Sequence, residues 1–176
     1  MRGVHVLAIC GSLNAKSRNL ALLEAVVAAA PPDMVITVSD HLRTLPHFDP
    51  DLDSTPPAEV VAWRKALAES DAVLIAAPEY AHSLPGALKN GIDWTVGSGE
   101  LYRKVVAVTA SVPHPERGRR GLDALTQTLR AVDAQIVWDA PIDRNADPRP
   151  TIDALLAALR QGVLDHQRSD EEAAAP

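Results

Sequence analysis

Apolar residues follow two different patterns along this chain. Segments 5–10, 72–77 and 105–110 are apolar at consecutive positions, as in β-strands that are covered on both faces. Segments 34–39 and 135–140 complete five predicted strands. Between the strands, apolar residues recur at spacings of three and four, which predicts amphipathic helices. These helical stripes are Leu20, Leu23 and Val27; Val60, Trp63 and Leu67; Leu122, Leu125, Leu129 and Val132; and Ile152, Leu155, Leu156, Leu159 and Val163.

The spacing of the predicted strands indicates the topology. Successive strands end about 30 to 40 residues apart, which is the length of one βαβ crossover. Five such units predict an α/β fold of flavodoxin type, a three-layer sandwich around a five-stranded parallel sheet in the order 2-1-3-4-5. Prolines at 56, 57, 85 and 150 stand where helices are expected to begin, because proline in a first turn gives up no helical hydrogen bond.

Length and composition favour one globular domain. The chain has 176 residues, of which 47 % are hydrophobic, enough for one sizeable core. We predict a single domain over 1–168 and a disordered tail over 169–176, where the apolar stripe ends. The long connection 40–57 is expected to cover a sheet edge, meet a second subunit or remain a solvated loop.

Charge and cysteine content narrow the function classes. A net charge of −6 argues against nucleic-acid binding, which needs a basic surface. The single cysteine, Cys10, cannot form an internal disulfide. The first apolar run is too short for an export signal or a membrane span. These observations predict a cytoplasmic protein without a membrane partner.

Two polar hinges mark the candidate site. The first predicted strand ends in GSLNAKSRN and the third in PEYAHSLPG. In the predicted sheet order, the carboxyl ends of these two strands flank the crevice where the winding reverses and ligands bind. The sequence therefore predicts one ligand site built from both hinges.

The first hinge has the chemistry of an anion site. A turn from a buried strand into a helix presents unpaired N–H groups and the positive end of the helix dipole. Ser12, Ser17 and Asn19 offer additional short polar side chains, and Lys16 or Arg18 could add charge. A phosphate group is the expected occupant, and simple helix capping by Ser17 or Asn19 is an equally good interpretation of the same residues. Walker and dinucleotide-binding glycine motifs are absent from this hinge.

With both hinges in view, the chain resembles the NADPH-dependent FMN reductase family of flavodoxin-like oxidoreductases, which includes quinone, azo-dye and chromate reductases. GSLNAKSRNLAL is similar to that family's GSLRxxSxNxxL, and PEYAHSLPGALKNGIDW to its PEYNxSxPGxLKNAIDW. The second match is long and specific, and the strand pattern extends the resemblance over roughly 3–165.

The resemblance implies a bound FMN, with NADPH or NADH as co-substrate, and a homodimer or homotetramer. By position, Ser12, Ser17 and Asn19 are implied phosphate ligands. The backbone of Pro78, Glu79 and Tyr80 is implied to flank the flavin ring, together with Ser83 in the same loop and Ser111 in the loop after the fourth strand. A structural role in a helix is implied for the remaining motif residues, Lys89, Asn90, Asp93 and Trp94.

Three departures from the family pattern affect the implied site. Asn14 replaces an arginine that could bind phosphate through two hydrogen bonds, and Arg18 or Lys16 is the hypothetical substitute. Ala81 replaces the asparagine after PEY. The loop over 111–121, SVPHPERGRRG, replaces a short glycine-rich turn, which makes the pyrimidine edge of the flavin pocket the part least defined by sequence.

The implied chemistry needs little from acid or base side chains, because the flavin carries it. No residue is therefore predicted to be catalytic, and no metal site is predicted because the histidines lack ligand spacing. His82 and His114 could donate a proton to a reduced quinone or be ordinary loop residues. Tyr80 could stack on the flavin or on the nicotinamide. Arg117, Arg119 and Arg120 could attract the phosphates of NADPH or form a solvated helix start.

These features favour an enzyme that passes hydride from NAD(P)H through FMN to a small acceptor such as a quinone, free flavin or azo compound. A flavodoxin-like electron carrier and a flavin-free binding module of the same fold are the alternatives that the sequence leaves open.

Overall fold

The computed structural model describes residues 3–114 and 116–174. Its central sheet is parallel and five-stranded, and a short parallel pair lies beside it. The strands are β1 (Val4–Cys10), β2 (Met34–Ser39), β3 (Ala72–Ala76), β4 (Val105–Thr109), β5 (Ser111–Val112), β6 (Gln135–Asp139) and β7 (Ile142–Asp143). The sheet order is β2-β1-β3-β4-β6, and β5 pairs with β7. The predicted order is confirmed, since β6 is the fifth strand of the main sheet.

Helices cover both faces of this sheet. They are α1 (Arg18–Ala29), α2 (Ala58–Ala68), α3 (Gly86–Asp93), α4 (Arg119–Ala131) and α5 (Arg149–Ala174). One apolar core contains side chains of α1 and α5, and the other contains side chains of α2, α3 and α4. These two cores make the predicted three-layer sandwich.

Burial on both faces explains the consecutive apolar residues of β3. Val73 and Ile75 belong to the core under α2, α3 and α4, whereas Ala72, Leu74 and Ala76 belong to the core under α1 and α5. Alternate side chains of one strand therefore enter different cores, and no position is left for a polar residue.

The long connection between β2 and α2 is packed against the protein. It contains short 3-10 turns at His41–Arg43 and Pro50–Leu52, and Leu42 is buried in the core with Trp63. Leu45 and Phe48 pack against the same core. Apolar side chains of this connection thus cover α2 and α3.

The carboxyl-terminal helix differs from its sequence-based prediction. The sequence predicts disorder from residue 169, but α5 continues to Ala174. Its last turns retain local support, because Ser169 Oγ donates to the Asp165 carbonyl, 3.0 Å away, and Arg168 pairs with Asp165. Residues 175 and 176 lie outside the described part. No helix within residues 3–114 and 116–174 has the length and apolarity required to cross a bilayer.

Candidate flavin site

Three loops meet at the carboxyl edge of the sheet. Ser12 Oγ, after β1, lies 3.3 Å from the Tyr80 hydroxyl, after β3. The Ser111 N–H, after β4, donates to Asn19 Oδ1 at the start of α1, over 2.9 Å. The Ser12–Tyr80 contact joins the two hinges that were predicted to converge, and the Asn19–Ser111 bond adds the loop after β4.

The loop after β1 is shaped by Asn14. Its side-chain oxygen accepts from the Lys16 N–H at 2.9 Å, and its carbonyl accepts from the Ser17 N–H at 2.9 Å. Asparagine favours such a turn because its short side chain can bond the backbone two residues ahead. The residue that replaces the family's arginine therefore forms a turn that leads into α1.

The first helical turn uses Ser17 and Asn19 in different ways. Ser17 Oγ accepts from the Asn19 N–H over 3.2 Å, so Ser17 caps α1 as one sequence interpretation predicted. Asn19 is only 4 % exposed, and its side-chain oxygen holds the loop after β4. Asn19 thus connects two loops of the site.

Unpaired backbone donors remain in the same loop. Within the described residues, the N–H groups of Ser12, Leu13 and Ala15 have no hydrogen-bond acceptor. Such N–H groups before a helix N-terminus are suited to a phosphate. The donor set therefore fits the phosphate end of FMN, and the Ser12 hydroxyl adds a side-chain group to it.

Gly11 allows this loop to lie close to the end of β3. A Cβ atom built on Gly11 would lie 2.8 Å from the Ala77 Cβ, closer than real side chains approach. The Gly11 N–H donates to the Ala76 carbonyl at 2.9 Å. A glycine is therefore required where the first two loops come together.

The loop after β3 is a tight two-residue hairpin. Tyr80 and Ser83 exchange backbone hydrogen bonds of 3.0 and 2.9 Å. The residues between them are left-handed, with φ values of 49° at Ala81 and 60° at His82. Two successive positive φ angles are typical of the type I′ turn, which favours asparagine and glycine. This geometry gives a physical reason for the asparagine that the family pattern places at position 81.

We predict that Ala81→Asn stabilises the protein. Alanine in the left-handed region costs about 1–2 kcal/mol, whereas asparagine adopts this conformation more readily, so we expect a gain of about 0.5–1 kcal/mol in the free energy of unfolding. Urea unfolding at neutral pH measures this change. Ala81→Val is the matched variant and should be destabilising; a gain from valine as well would contradict the strain explanation.

Glu79 anchors this loop to α4. Glu79 Oε2 accepts from the Gly121 N–H at 3.0 Å, in the first turn of α4, and Oε1 lies 3.0 Å from His82 Nδ1. Hydrogen bonding to His82 and to the Gly121 N–H lowers the pKa of Glu79. The carboxylate also compensates for the missing side-chain cap at Gly118. The side chain of Glu79 is thus engaged in structure.

This lowered pKa predicts acid-sensitive stability. A carboxyl with a lower pKa in the folded state contributes stability above its ordinary value of 4.5, and the contribution is lost as pH falls through the folded pKa. We therefore expect Glu79→Gln to be less stable than the wild type at pH 7. The difference should shrink in urea unfolding as the pH falls below 4.5, and a difference independent of pH would contradict this role of the charge.

The loop after β4 forms one wall of a cavity of about 440 Å³. Pro78 and Glu79 line its other side, and Ser111, His114 and Arg117 line the wall. The pairing of β5 with β7 shapes this loop, and the sequence did not predict that pairing. Pro115 lies outside the described residues. The cavity lies between the second and third loops, where the resemblance implies the flavin ring.

The arginines of this loop are not equivalent. Arg119 pairs with Asp123 at 2.9 Å and lies 3.5 Å from Asp139. Arg117 lines the cavity itself. Among the arginines of this loop, Arg117 is therefore the best placed to attract coenzyme phosphates as predicted, because Arg119 already has two carboxylate partners.

The remaining motif residues hold the connection between β2 and α2. Asn90 Oδ1 accepts from the Phe48 N–H at 2.8 Å, and Asn90 Nδ2 donates to the Pro46 carbonyl at 2.9 Å. Trp94 Nε1 donates to the same carbonyl at 2.9 Å. Lys89 and Asp93 form an ion pair of 2.6 Å on the surface of α3. These contacts agree with the structural role that the resemblance implies.

Arg43 is a site residue that the sequence analysis did not predict. Its guanidinium donates to the Leu13 carbonyl, so it supports the loop after β1 from the neighbouring connection. A backbone carbonyl as partner leaves no residue signature, and no sequence signal therefore pairs Arg43 with this loop.

The comparison with family models decides the classification. The model of the NADPH-dependent FMN reductases matches residues 4–146. The chain belongs to this family. The predicted family, the FMN-dependent oxidoreductase class and the use of NAD(P)H are thereby confirmed.

Curated relatives of this FMN reductase family member include quinone reductases. It is 29 % identical to a quinone reductase of Escherichia coli over 93 % of this chain and 89 % of the relative. It is 40 % identical to an NAD(P)H:quinone oxidoreductase of Solanum tuberosum over 84 % of this chain and 78 % of the relative. A match of 40 % identity to an NAD(P)H-dependent FMN reductase of Pseudomonas aeruginosa covers only 52 % of this chain and 49 % of that protein.

Solved structures support the fold. The flavoenzyme NAD(P)H:(acceptor) oxidoreductase FerB of Paracoccus denitrificans superposes with a TM-score of 0.74 at 24 % identity, over 94 % of this chain and 98 % of that one. The flavodoxin-like architecture is thus shared at low sequence identity.

Proposed function

We propose that this FMN reductase family member oxidises NAD(P)H and delivers the electrons to a small acceptor, a quinone above all. The observation that carries the proposal is the convergence of three loops on one crevice, shown by the Ser12–Tyr80 and Asn19–Ser111 contacts. The quinone reductases among the relatives support the choice of acceptor. Free flavins and azo compounds are further expected acceptors.

We infer that FMN binds across the three loops. Ser12, Ser17 and Asn19 lie at the first loop, whose free N–H groups fit the phosphate. Pro78 and Glu79 border the cavity together with Ser111, and Tyr80 adjoins it in the chain. Ser83 acts through the hairpin that fixes Tyr80. When bound, FMN accepts a hydride and passes electrons on, so the protein groups only bind and orient.

Tyr80 is suited to position a flat partner at the crevice. Its side chain is 52 % exposed, and its hydroxyl lies near Ser12. An aromatic ring held at its polar end can offer a face to a flavin, a nicotinamide or a quinone. No side chain is assigned a proton-transfer step.

Anaerobic mixing of the FMN-loaded protein with NADPH and with NADH tests the proposal. We expect loss of the flavin absorbance bands within the mixing experiment, and their return when benzoquinone is added. Bleaching too slow to support turnover would overturn the proposal. Rapid bleaching and reoxidation would exclude a protein-partnered electron carrier as the sole role.

We also propose a cytoplasmic homodimer or homotetramer. The family resemblance supports both, and Val61, Val96 and Tyr102 are large apolar residues that are exposed in the single chain. Light scattering coupled to size exclusion should give twice or four times the mass of 18.8 kDa, and a monomer at micromolar concentration would contradict the proposal.

A further inference from the structure

A second cavity lies at the same edge of the sheet, between α1 and the segment that leads into α5. Its volume is about 390 Å³. Leu22 and Ile142 contribute an apolar floor, and Arg18, Arg144 and Asn145 contribute a polar rim. Small-molecule sites combine these two features, a mainly apolar pocket with a few placed polar groups.

The charge of this cavity is unbalanced. Arg18 and Arg144 line it from separate segments, and no acidic residue is among the described residues that line it. Neither Arg18 nor Arg144 forms an ion pair with another described residue. Of the other described arginines, six form an ion pair, Arg64, Arg103, Arg119, Arg149, Arg160 and Arg168, and four form none with a described residue, Arg43, Arg117, Arg120 and Arg130; only Arg18 and Arg144 lack one and line the same cavity. In a chain of net charge −6, two unpaired arginines in one cavity favour an anionic ligand.

The rim is fixed by hydrogen bonds of the backbone and of Asn145. The Arg144 N–H donates to the Val112 carbonyl at 2.9 Å, and Asn145 Nδ2 donates to the Pro113 carbonyl at 2.6 Å. The segment that carries Arg144 is therefore tied to the loop after β4, which borders the candidate flavin site.

The position of the cavity separates it from the expected FMN phosphate. It runs along the side of α1, past Leu22, rather than over the N–H groups that precede the helix. Ser111 lines both this cavity and the one beside Pro78. A ligand that extends from the flavin crevice could therefore reach it.

We propose that this cavity binds the 2′-phosphorylated adenosine end of NADPH. The inference rests on the proposed function and extends it to coenzyme choice. The apolar floor suits the base, and Arg18 with Arg144 suits a phosphate monoester, since guanidinium groups bind phosphate through paired charge-assisted hydrogen bonds. In the loop after β4, Arg119 is less suited to the same task because of its ion pairs, and Arg117 lines the other cavity without a second described arginine beside it.

Direct binding tests the cavity without turnover. Calorimetry on the FMN-loaded protein compares 2′,5′-ADP with 5′-AMP, which differ by the 2′-phosphate. We expect 2′,5′-ADP to bind at least tenfold more tightly, and Arg144→Gln and Arg18→Gln each to remove most of that difference. Arg130→Gln, an exposed arginine on α4, is the control of equal charge and should change nothing. Equal binding of the two ligands to the wild type would overturn the proposal.

Kinetics with the two coenzymes separate this inference from the proposed function. Arg144→Gln should raise KM for NADPH about five- to tenfold and leave KM for NADH and both kcat values unchanged. If Arg144→Gln retains turnover and the ratio of its KM for NADPH to its KM for NADH equals that of the wild type, the cavity assignment alone is overturned. Weaker binding of FMN relative to riboflavin in the variants would assign the arginines to the flavin phosphate and also overturn it. Absence of NAD(P)H oxidation in the wild type would overturn the proposed function, and the calorimetry would still test the cavity.

Discussion

Replacing Asn19 with aspartate is expected to lower the affinity for FMN about 100-fold, with little change in the affinity for riboflavin. The substitution keeps an oxygen acceptor for the Ser111 N–H, which donates to Asn19 Oδ1 over 2.9 Å. It adds a negative charge beside the loop that we propose for the phosphate. Like charges a few ångströms apart repel by about 4 kcal/mol at a protein surface. Screening by salt weakens this repulsion, so that the affinity for FMN should fall about 100-fold.

The fold of this variant should survive. Asn19 lies in the first turn of α1, where the helix dipole favours a carboxylate. Fluorescence titration of the FMN-free protein with FMN and with riboflavin gives both affinities. Gln135→Glu adds the same charge at the exposed start of β6, on the opposite edge of the sheet, and should leave both affinities unchanged. Equal losses for FMN and riboflavin from Asn19→Asp would show that Asn19 acts through loop structure and does not face the phosphate.

Replacing Asn90 with alanine is expected to lower the free energy of unfolding by about 3 kcal/mol. The Asn90 side chain makes two hydrogen bonds to the backbone of the connection between β2 and α2. Each such bond contributes about 1 kcal/mol, and a donor left without an acceptor costs a further 1–3 kcal/mol, with the lower end expected for a half-buried donor. The Phe48 N–H would be that donor, because the Pro46 carbonyl keeps Trp94 Nε1 as a partner.

Urea unfolding with a two-state analysis measures this loss. Lys89→Ala removes the neighbouring exposed ion pair with Asp93 and should change stability by less than about 0.5 kcal/mol. Asn90→Asp keeps an oxygen that accepts from the Phe48 N–H. Its loss of unfolding free energy should therefore lie between those of Asn90→Ala and Lys89→Ala. A loss below 1 kcal/mol for Asn90→Ala would mean that the apolar contacts of Leu42 and Phe48 hold the connection without it.

Much of the candidate site could be predicted from local patterns. The type I′ turn at Ala81 and His82 was not predicted. The cap at Ser17, one of the two interpretations of the first hinge, and the polar hinges after β1 and β3 were predicted, and each lies within a few residues of chain. Motifs of this kind describe backbone geometry that short-range hydrogen bonds impose, so residue spacing is enough to find them.

Contacts between distant segments could not be predicted in the same way. Asn19 and Ser111 are joined across the sheet, and Glu79 reaches the Gly121 N–H at the start of α4. Arg43 supports Leu13 through a carbonyl. In each case one partner is a backbone N–H or carbonyl group. Every residue has a backbone carbonyl, and every residue except proline has a backbone N–H. A sequence has no mark that distinguishes the particular backbone group that will be used.

The sequence by itself determined the strands, helices and layers of this protein, because burial on one or two faces dictates which positions must be apolar. The strand order followed from the flavodoxin-type fold that five successive βα units predict. The same local rules determined the two hinges and the turn into each helix. Only the tertiary structure decided that Arg18 and Arg144 line one cavity while Arg119 is paired with carboxylates. Charge interactions depend on distance through space, and that distance is set only when strands far apart in the chain have packed side by side.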